Sequence, residues 1–264
     1  MSRPFHRLFQ RRRPTLHIAH RGGAALAPEN TLAAFGQAVS RWRTDMLELD
    51  VHFSKDGEAW VSHDPTVDRC TDGKGAIAEL TSAELKQLDA GFRFSTDGRT
   101  FPFRGQGLRL PRLLDVAQSL PHVLLNIDLK SGPPDAFARA VRAADLLDRA
   151  CLGAESDAAA SELSTLLPGA CLFLPREALT TLVMSIRGGA EPVVDDRFHV
   201  LDMPLTFQGV RLVDDVLLRA TDAAGLWVNV WTIDDETQMK NLVKDGVGGI
   251  MTDRPDLLRQ VLDA

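Results

Sequence analysis

The sequence predicts an α/β fold, a single (β/α)8 TIM barrel. Short β-like runs alternate with amphipathic helical stretches along most of the chain, which is typical of a parallel sheet covered by helices. The chain has 264 residues, a usual length for one closed barrel of eight strands. Its 44% of apolar and 25% of charged residues are those of a globular protein with a large core.

Composition and charge exclude two classes of protein. The formal net charge is −6 at pH 7, whereas a general nucleic-acid binder needs a basic surface. No run approaches the roughly 18 apolar residues that a membrane span requires. We therefore expect no nucleic-acid partner and no stable membrane insertion.

The N-terminal segment and the cysteines bear on location. We predict a basic, flexible tail over residues 1–15 and one barrel domain over residues 16–264. The tail lacks the apolar run of a secretory signal, and its five arginines could make weak contact with anionic lipid head groups. Cys70, Cys151 and Cys171 are odd in number and widely spaced, which favours a reducing, cytoplasmic location over a disulfide framework.

Nine segments have strand-like patterns, one more than the barrel needs. They are Leu16–His20, Met46–Phe53, Ala59–His63, Val123–Leu129, Ala150–Ala154, Ala170–Leu174, His199–Met203, Leu226–Thr232 and Gly249–Thr252. Amphipathic stretches lie between most of them, and several begin at a proline or at a capping residue. These predicted helices are Asn30–Val39, Thr81–Leu88, Pro111–Ser119, Pro134–Leu147, Arg176–Arg187, Val213–Ala224, Glu236–Lys244 and Pro255–Leu262.

The extra segment, Ala59–His63, is predicted to be an antiparallel arm. Too few residues separate it from the strand before, because a parallel neighbour needs a crossover of about a dozen or more. Asp56-Gly57 between the two runs is a hairpin signal. Folding at that turn sets position 63 opposite position 50, which brings His63 beside Asp50. A second excursion, the Gly- and Phe-rich residues 91–107, is predicted to be a lid or a surface insertion.

Polar side chains recur at alternate positions near the ends of three strands. Glu48 and Asp50 share one face of their strand, and Asp128 and Lys130 share one face of theirs. Trp231 is in the inward phase of a third strand. Barrel active sites lie at the carboxyl ends of the strands, so we expect these groups to face inward at one mouth.

Three inward carboxylates, Glu48, Asp50 and Asp128, would repel one another in a site with little water. A divalent cation, Mg²⁺ or Ca²⁺, removes that repulsion, and both prefer oxygen ligands. The alternative is that Glu48 and Asp50 pair with buried arginine or lysine side chains. Because a third acid and two histidines accompany them, we expect a metal site.

His20 and His63 each end a strand segment that is directed at these acids. Two imidazoles beside a metal suit phosphodiester cleavage, since one takes a proton from the nucleophile and the other gives one to the leaving alkoxide. Arg21 and Lys130 can neutralise phosphate oxygens. The Gly22-Gly23 pair lets the backbone approach a ligand closely.

For four further residues, the evidence for a role in the active site is weaker. Trp231 is either a core aromatic or the wall of a pocket. Glu29 is either a first-turn helix acid or a partner that orients a catalytic group through a hydrogen bond. His17 lies early in its strand, away from the catalytic end, and His52 is expected at the rim of the mouth.

Five stretches, in order, resemble the glycerophosphodiester phosphodiesterase family. They are HRGGAALAPENTLAAF, LELDVHFSKDGEAWVSHD, LTSAELKQLDAG, LPRLLDVAQSLPHVLLNIDLKS and VNVWTIDDETQMKNLVKDGVGGIMTDRPDLL. The resemblance runs from about His17 to Leu258 and is weakest between about Pro133 and Phe207.

The resemblance implies a catalytic barrel with one divalent cation, usually Ca²⁺ or Mg²⁺. It implies hydrolysis of glycerophosphodiesters, such as glycerophosphocholine and glycerophosphoethanolamine, to sn-glycerol 3-phosphate and an alcohol. Matched motif by motif, it implies acid and base roles for His20 and His63, and metal ligation by Glu48 and Asp50. It also implies phosphate contacts for Arg21 and Lys130, and a pocket-lining role for Trp231.

Two departures from the family pattern keep a second activity open. Asp128 stands where the family usually has Glu, and the resulting Asp-x-Lys is similar to that of sphingomyelinase D-type phospholipases. LGAESDAAA, at Leu152–Ala160, lacks the usual Ser-Phe strand end. The alternative is a lysophospholipase D or sphingomyelinase D-like enzyme, with residues 91–107 as a trough for an acyl chain. A non-catalytic binding protein is disfavoured because both histidines and all three acids are present.

Overall fold

The computed structural model describes residues 4–10, 15–154, 156–190 and 192–264, and in them the predicted barrel is confirmed. Eight parallel strands form its wall. In the order in which they are hydrogen-bonded they are β6 (Cys171–Leu172), β5 (Ala150–Ala154), β4 (Leu124–Leu129), β2 (Met46–Phe53), β1 (Leu16–Ala19), β11 (Gly249–Thr252), β10 (Trp227–Trp231) and β7 (Val200–Pro204). A two-stranded hairpin, β8 (Thr206–Phe207) and β9 (Val210–Arg211), follows β7.

The described residues form nine helices. They are α1 (Leu32–Trp42), α2 (Ser82–Leu85), α3 (Leu113–Ser119), α4 (Pro134–Ala143), α5 (Asp157–Leu166), α6 (Arg176–Arg187), α7 (Asp215–Ala223), α8 (Glu236–Asp245) and α9 (Pro255–Asp263). All but the short α2 contribute side chains to the core outside this wall. There are also two short 3-10 turns, His20–Gly22 and Ile77–Glu79.

Alternation along each strand sorts side chains to the two sides of the wall. On β2, Leu47, Leu49 and Val51 are fully buried in the outer core, together with Phe35 of α1 and Phe137 of α4. The intervening positions of β2 face the barrel interior, as the period-2 pattern predicts. The apolar side chains therefore anchor β2 against the helices, and the acids between them point into the barrel towards its mouth.

The barrel closes at a short seam between β6 and β7. One parallel bridge joins Phe173 to Val200. The amide of Leu174 donates to the carbonyl of Val200 at 2.8 Å, and the amide of His199 donates to Leu172 at 2.8 Å. This seam lies across the barrel from the β1–β2 pair, given the strand order.

The amino-terminal end of the barrel interior is apolar. Its cluster contains Leu16, Ile18, Met46, Leu124, Cys151, Cys171, Val200, Trp227 and Met251. Residues 4–10, expected as part of a flexible tail, turn beneath this cluster, with Leu8 and Phe9 buried. Phe9 stacks on Trp227 with ring centroids 4.6 Å apart. This part of the tail packs there because it removes the apolar end of the barrel from water. The rest of the predicted tail, residues 1–3 and 11–14, lies outside the described residues.

The predicted antiparallel arm is present as β3 (Ala59–Val61), paired with β2. Its register is one residue from the predicted one: Val51 pairs with Val61, and the amide of Ser62 donates to the carbonyl of Asp50. The reason is the turn. Ser54 and Glu58 close a three-residue loop with Gly57 at φ +82°, rather than a two-residue loop centred on Asp56-Gly57.

The Phe-rich residues 91–107 fold on themselves. Phe94 and Phe103 pack edge to face at 5.3 Å, and the Arg104 guanidinium lies 4.2 Å from the Phe92 ring and 3.8 Å from the Phe101 ring. These phenylalanines are half-buried, and their contacts with one another and with Arg104 form a small cluster within the insertion.

None of the helices among the described residues is both long enough and apolar enough to cross a membrane. Cys70, Cys151 and Cys171 are all free thiols.

Candidate active site

The predicted site residues meet at the carboxyl-terminal mouth of the barrel. His20 and Arg21 follow β1, Glu48 and Asp50 lie on β2, and Asp128 lies on β4 with Lys130 directly after it. His63 follows the end of β3. The β2–β4 ladder places Asp50 opposite Asp128.

The three carboxylates are withdrawn from water. Glu48 and Asp50 are buried, and Asp128 is partly buried. Burial, together with the neighbouring Asp50 carboxylate, raises the pKa of Glu48 to about 8. Burial also raises the pKa of Asp128. Burial at the mouth therefore favours the neutral form of Glu48 and of Asp128.

Two cations lie within this group of acids, as the ion-pairing alternative predicts. Nζ of Lys130 lies 2.6 Å from Oδ2 of Asp128 and 3.2 Å from Oδ1 of Asp50. Nε of Arg21 lies 3.6 Å from Oδ2 of Asp50, and the Arg21 amide donates to Glu48 at 3.0 Å. These distances could not be predicted, because Arg21 belongs to a loop after a different strand.

Over residues 4–10, 15–154, 156–190 and 192–264, no three His, Cys, Asp or Glu side chains converge as ligands of a metal ion. Even so, the donor set suits a hard cation, because the three carboxylates, once all are ionised, outnumber the two cationic side chains. Oδ1 of Asp128 is buried without a hydrogen-bond partner among the described residues. In their donor chemistry, Glu48, Asp50 and Asp128 therefore suit a hard divalent cation, and such a cation stays a prediction.

His20 lies between two acids. Its Nδ1 is 2.7 Å from Oδ1 of Asp253, and its Nε2 is 3.8 Å from Oε2 of Glu48. Burial lowers the pKa of His20, but the Glu48 and Asp253 carboxylates outweigh burial and raise it overall. Asp253 follows β11, the last strand, and the sequence reading missed it because nothing near it in sequence is part of the site.

His63 is oriented by its neighbours. Its Nδ1 lies 2.8 Å from Oδ1 of Asp64. His52, expected at the rim, is buried, and its Nε2 lies 3.0 Å from the carbonyl oxygen of His63 while its Nδ1 lies 2.7 Å from Oγ of Ser131. His52 thus holds the end of the arm in place, which explains an imidazole on the same face as the acids.

The loop after β1 packs closely against two helices. Arg21 has φ +50° and Gly22 has φ +85°. A Cβ added to Gly22 would lie 2.8 Å from Ala34 of α1, and one added to Gly23 would lie 2.7 Å from Pro255 of α9. The glycines let this loop sit against two helices, and that contact turns Arg21 towards the acids.

Glu29 and Arg69 form a second layer of charge behind the site. Nη1 of Arg21 donates to Glu29 at 3.1 Å, and Arg69 donates to both Glu29 and Asp64. Asn30 donates from its side chain to Asp50 at 3.1 Å. Arg69 and Asn30 were not singled out from the sequence. Glu29 lies where its predicted orienting role requires.

A polar layer forms the floor of the mouth. Asn126 and Asn229 each donate a hydrogen bond of 2.8 Å to a carboxylate oxygen of Asp202, and Trp227 donates to Asn229 at 3.0 Å. Burial raises the pKa of Asp202 to about 6. These contacts join β4, β7 and β10 across the interior and separate the charged mouth from the apolar end below it.

Trp231 and His17 complete the predicted set. Trp231 ends β10, across the barrel from β4, and is 42% exposed, so its ring is available at the mouth rather than packed in the core. His17 is fully buried, with Nε2 2.8 Å from the carbonyl of Pro255 and Nδ1 2.9 Å from Oγ1 of Thr44. These contacts are structural, in keeping with its position early in β1.

The arrangement can therefore orient two imidazoles beside a group of acids and cations. Each imidazole is fixed at Nδ1 by a carboxylate, Asp253 for His20 and Asp64 for His63. Paired imidazoles of this kind serve proton transfer to and from an oxygen, and Arg21 and Lys130 suit an anionic substrate.

Comparison with known proteins gives one consistent result. The model of the glycerophosphoryl diester phosphodiesterase family matches residues 20–257. A glycerophosphodiester phosphodiesterase of Caldanaerobacter subterraneus is 31% identical over 92% of this chain and 96% of its own length. Lysophospholipase D GDPD1 of Homo sapiens is 29% identical over 93% of this chain and 85% of its own length.

A solved structure agrees. An Oleispira antarctica phosphodiesterase in complex with the product sn-glycerol-3-phosphate superposes with a TM-score of 0.70 and 26% identity. The superposition covers 94% of this chain and 96% of that one. The chain therefore belongs to the glycerophosphoryl diester phosphodiesterase family, whose members are phosphoric diester hydrolases.

Proposed function

We propose that this protein hydrolyses glycerophosphodiesters, such as glycerophosphocholine and glycerophosphoethanolamine, to sn-glycerol 3-phosphate and an alcohol. The observation that carries the proposal is the pair of carboxylate-fixed imidazoles beside Lys130 and Arg21 at one mouth. Family membership and the product complex of the Oleispira antarctica relative support the substrate class. A cytoplasmic location is part of the proposal, and the free cysteines support it.

The cationic side chains and the imidazoles have different roles in the proposed reaction. Arg21 and Lys130 bind the phosphate oxygens and stabilise the charge that develops on them. One imidazole of the His20–His63 pair accepts a proton from the attacking hydroxyl, and the other donates a proton to the leaving alkoxide. Trp231 forms an apolar wall for the glycerol carbons.

A single divalent cation, Mg²⁺ or Ca²⁺, is also proposed, with Glu48, Asp50 and Asp128 as its ligands. When bound, it supplies further positive charge to the phosphate oxygens. Two observations support it, the raised pKa of Glu48 and the unpartnered Oδ1 of Asp128. Aspartate at position 128 is one methylene shorter than the usual glutamate, so its reach into the mouth is smaller.

Lysophospholipase D activity is the second candidate function. The human relative bears that name, and the mouth offers exposed apolar surface near Trp231. Phe207 and Val210, paired on the β8–β9 hairpin just after β7, are 59% and 60% exposed. Because β7 is the ladder neighbour of β10, this surface adjoins Trp231 and could hold an acyl chain.

One activity screen separates the possibilities. Glycerophosphocholine, glycerophosphoethanolamine and lysophosphatidylcholine are each assayed with Mg²⁺, with Ca²⁺ and with EDTA. The main proposal expects turnover of the first two that EDTA abolishes and that one of the metals restores. Higher kcat/KM on lysophosphatidylcholine would instead establish the second candidate. No hydrolysis under any condition, with measurable sn-glycerol 3-phosphate binding, would indicate a binding protein.

A further inference from the structure

Arg69 lies in the excursion after β3, outside the barrel strands, and its guanidinium contacts two carboxylates at once. Nε and Nη2 donate to Asp64 at 2.6 and 3.1 Å. Nη1 and Nη2 donate to Glu29 at 2.6 and 2.8 Å. Four of the five N–H donors of the planar fork are thereby used, an arrangement that a lysine ammonium cannot reproduce.

Each of these carboxylates also contacts a candidate site residue. Asp64 lies 2.8 Å from Nδ1 of His63, and Glu29 accepts a hydrogen bond of 3.1 Å from Arg21. Arg21 belongs to the loop after β1, whereas His63 arrives on the hairpin arm. Arg69 therefore joins two chain segments that bring different groups to the mouth.

The charges in this network are matched and partly shielded. The side chains of Glu29 and Asp64 are 14% and 27% exposed, and that of Arg69 is 47% exposed. Arg69 holds the pKa of Asp64 down at about 2. Burial alone would raise the pKa of Glu29, but Arg69 and Arg21 keep it below its ordinary value. Both acids are thus held ionised and available as acceptors for His63 and Arg21.

We propose that Arg69 is a positioning residue that sets the separation between the phosphate-binding Arg21 and the proton-transferring His63. It acts through Glu29 on one side and through Asp64 on the other, and it touches neither substrate nor metal. The proposal rests on the proposed function for the roles of Arg21 and His63, and on the four hydrogen bonds for the connection itself.

Three variants cut the network at different points. R69Q loses both connections and is expected to lower kcat and raise KM for glycerophosphocholine, each by about tenfold, the lower end of the range for residues that support a site from behind. D64N cuts only the arm and is expected to lower mainly kcat. E29Q cuts only the β1 loop and is expected to raise mainly KM. Adding R69Q to the D64N/E29Q double variant should change kcat and KM little further, because both connections of Arg69 are already lost.

The matched control is R197Q. Arg197 makes a bidentate pair with Asp195, its side chain is 49% exposed, and it precedes β7 at the far end of the barrel. R197Q is expected to keep both kinetic constants.

In Arg69→Ala, millimolar guanidinium should restore part of the lost activity, because removal of the half-exposed guanidinium leaves a planar site. R69K should not rescue; full activity in R69K would show that charge alone suffices and would overturn the positioning role.

An NMR measurement that needs no substrate tests the role of Arg69 independently of the proposed function. Long-range ¹H–¹⁵N spectra report which ring nitrogen of His63 carries its proton. In the native protein Nδ1–H faces Asp64, and R69Q is expected to give a mixture of tautomers while R197Q does not. If the native protein hydrolyses no diester, the proposed function fails and this test still applies. If R69Q keeps the native tautomer, the inference about Arg69 fails.

Discussion

The two ends of the barrel interior are built from the same strands and have opposite chemistry. On β2, Met46 faces the apolar end, and Glu48 and Asp50 face the mouth. On β4, Leu124 lies below Asp128 in the same way. The difference is a step of two or four residues along each strand. It shows that one inward-facing row of side chains can stabilise the fold at one end and carry chemistry at the other.

This comparison predicts that substitutions at the mouth change rates while substitutions at the apolar end change stability. The largest effect is expected for H20Q and H63Q. Each should lower kcat for glycerophosphocholine by about 10²- to 10⁴-fold, the usual contribution of a general acid or base. The midpoint of thermal unfolding should change little. H122Q, at an exposed position before β4, is the control. Near-native turnover in either histidine variant would refute the two-imidazole assignment.

The apolar end should behave in the opposite way. Ile18 is fully buried there, and a Cβ added to Gly249 would lie 2.6 Å from its Cδ1, so the site is tightly packed. Ile18→Ala should reduce the free energy of unfolding by about 2 to 5 kcal/mol in urea titrations. Its kcat at low temperature should match the native value. Val193→Ala, at a side chain that is 92% exposed, serves as the control. Loss of activity before loss of structure in Ile18→Ala would contradict a purely structural role for the apolar end.

Asp202 sits between the two ends and gives an intermediate, pH-dependent effect. Its folded pKa of about 6 exceeds its ordinary 3.8, so the folded protein binds the extra proton between these values. Its contribution to stability is therefore greatest below about pH 4 and is lost as pH rises to about 6, by on the order of 3 kcal/mol. D202N should lack this change, which unfolding curves at pH 4, 5, 6 and 7 would show. An unchanged slope would mean that Asp202 is ionised throughout.

The smallest effect concerns the hairpin turn. One glycine inserted after Gly57 should displace His63, and kcat should fall by about tenfold to a hundredfold while the unfolding midpoint stays within a few degrees. The same insertion after Gly98, in the exposed loop of residues 91–107, should leave both unchanged. Equal activity in the two insertion variants would show that the turn does not set the position of His63.

Much of the mouth could be predicted because strand alternation is a local property. Glu48, Asp50 and Asp128 face inward as the period of two requires, and the arm carrying His63 follows from Asp56-Gly57. The one-residue error in register has a local cause too. A three-residue and a two-residue loop look alike in sequence, and only the hydrogen bond from Ser54 to Glu58 distinguishes them.

The contacts that could not be predicted join segments distant in sequence. Asp253 reaches His20 across 233 positions, and Asn126 reaches Asp202 across 76. Lys130 was expected to bind phosphate, and its close approach to Asp50 depends on how β2 and β4 pair. Charge balance at the mouth is therefore a property of the assembled barrel, and no single strand reveals it.

The short seam between β6 and β7 predicts where the barrel wall opens most readily. The seam has one bridge and two flanking hydrogen bonds from backbone amides, whereas β2 and β4 pair over six residues. Amide hydrogens of Leu174 and His199 should exchange with deuterated solvent sooner than those along β2. Because the seam lies across from β1 and β2, we expect the wall to open first away from His20, Glu48 and Asp50, so that the half of the barrel carrying these residues keeps its shape during partial opening.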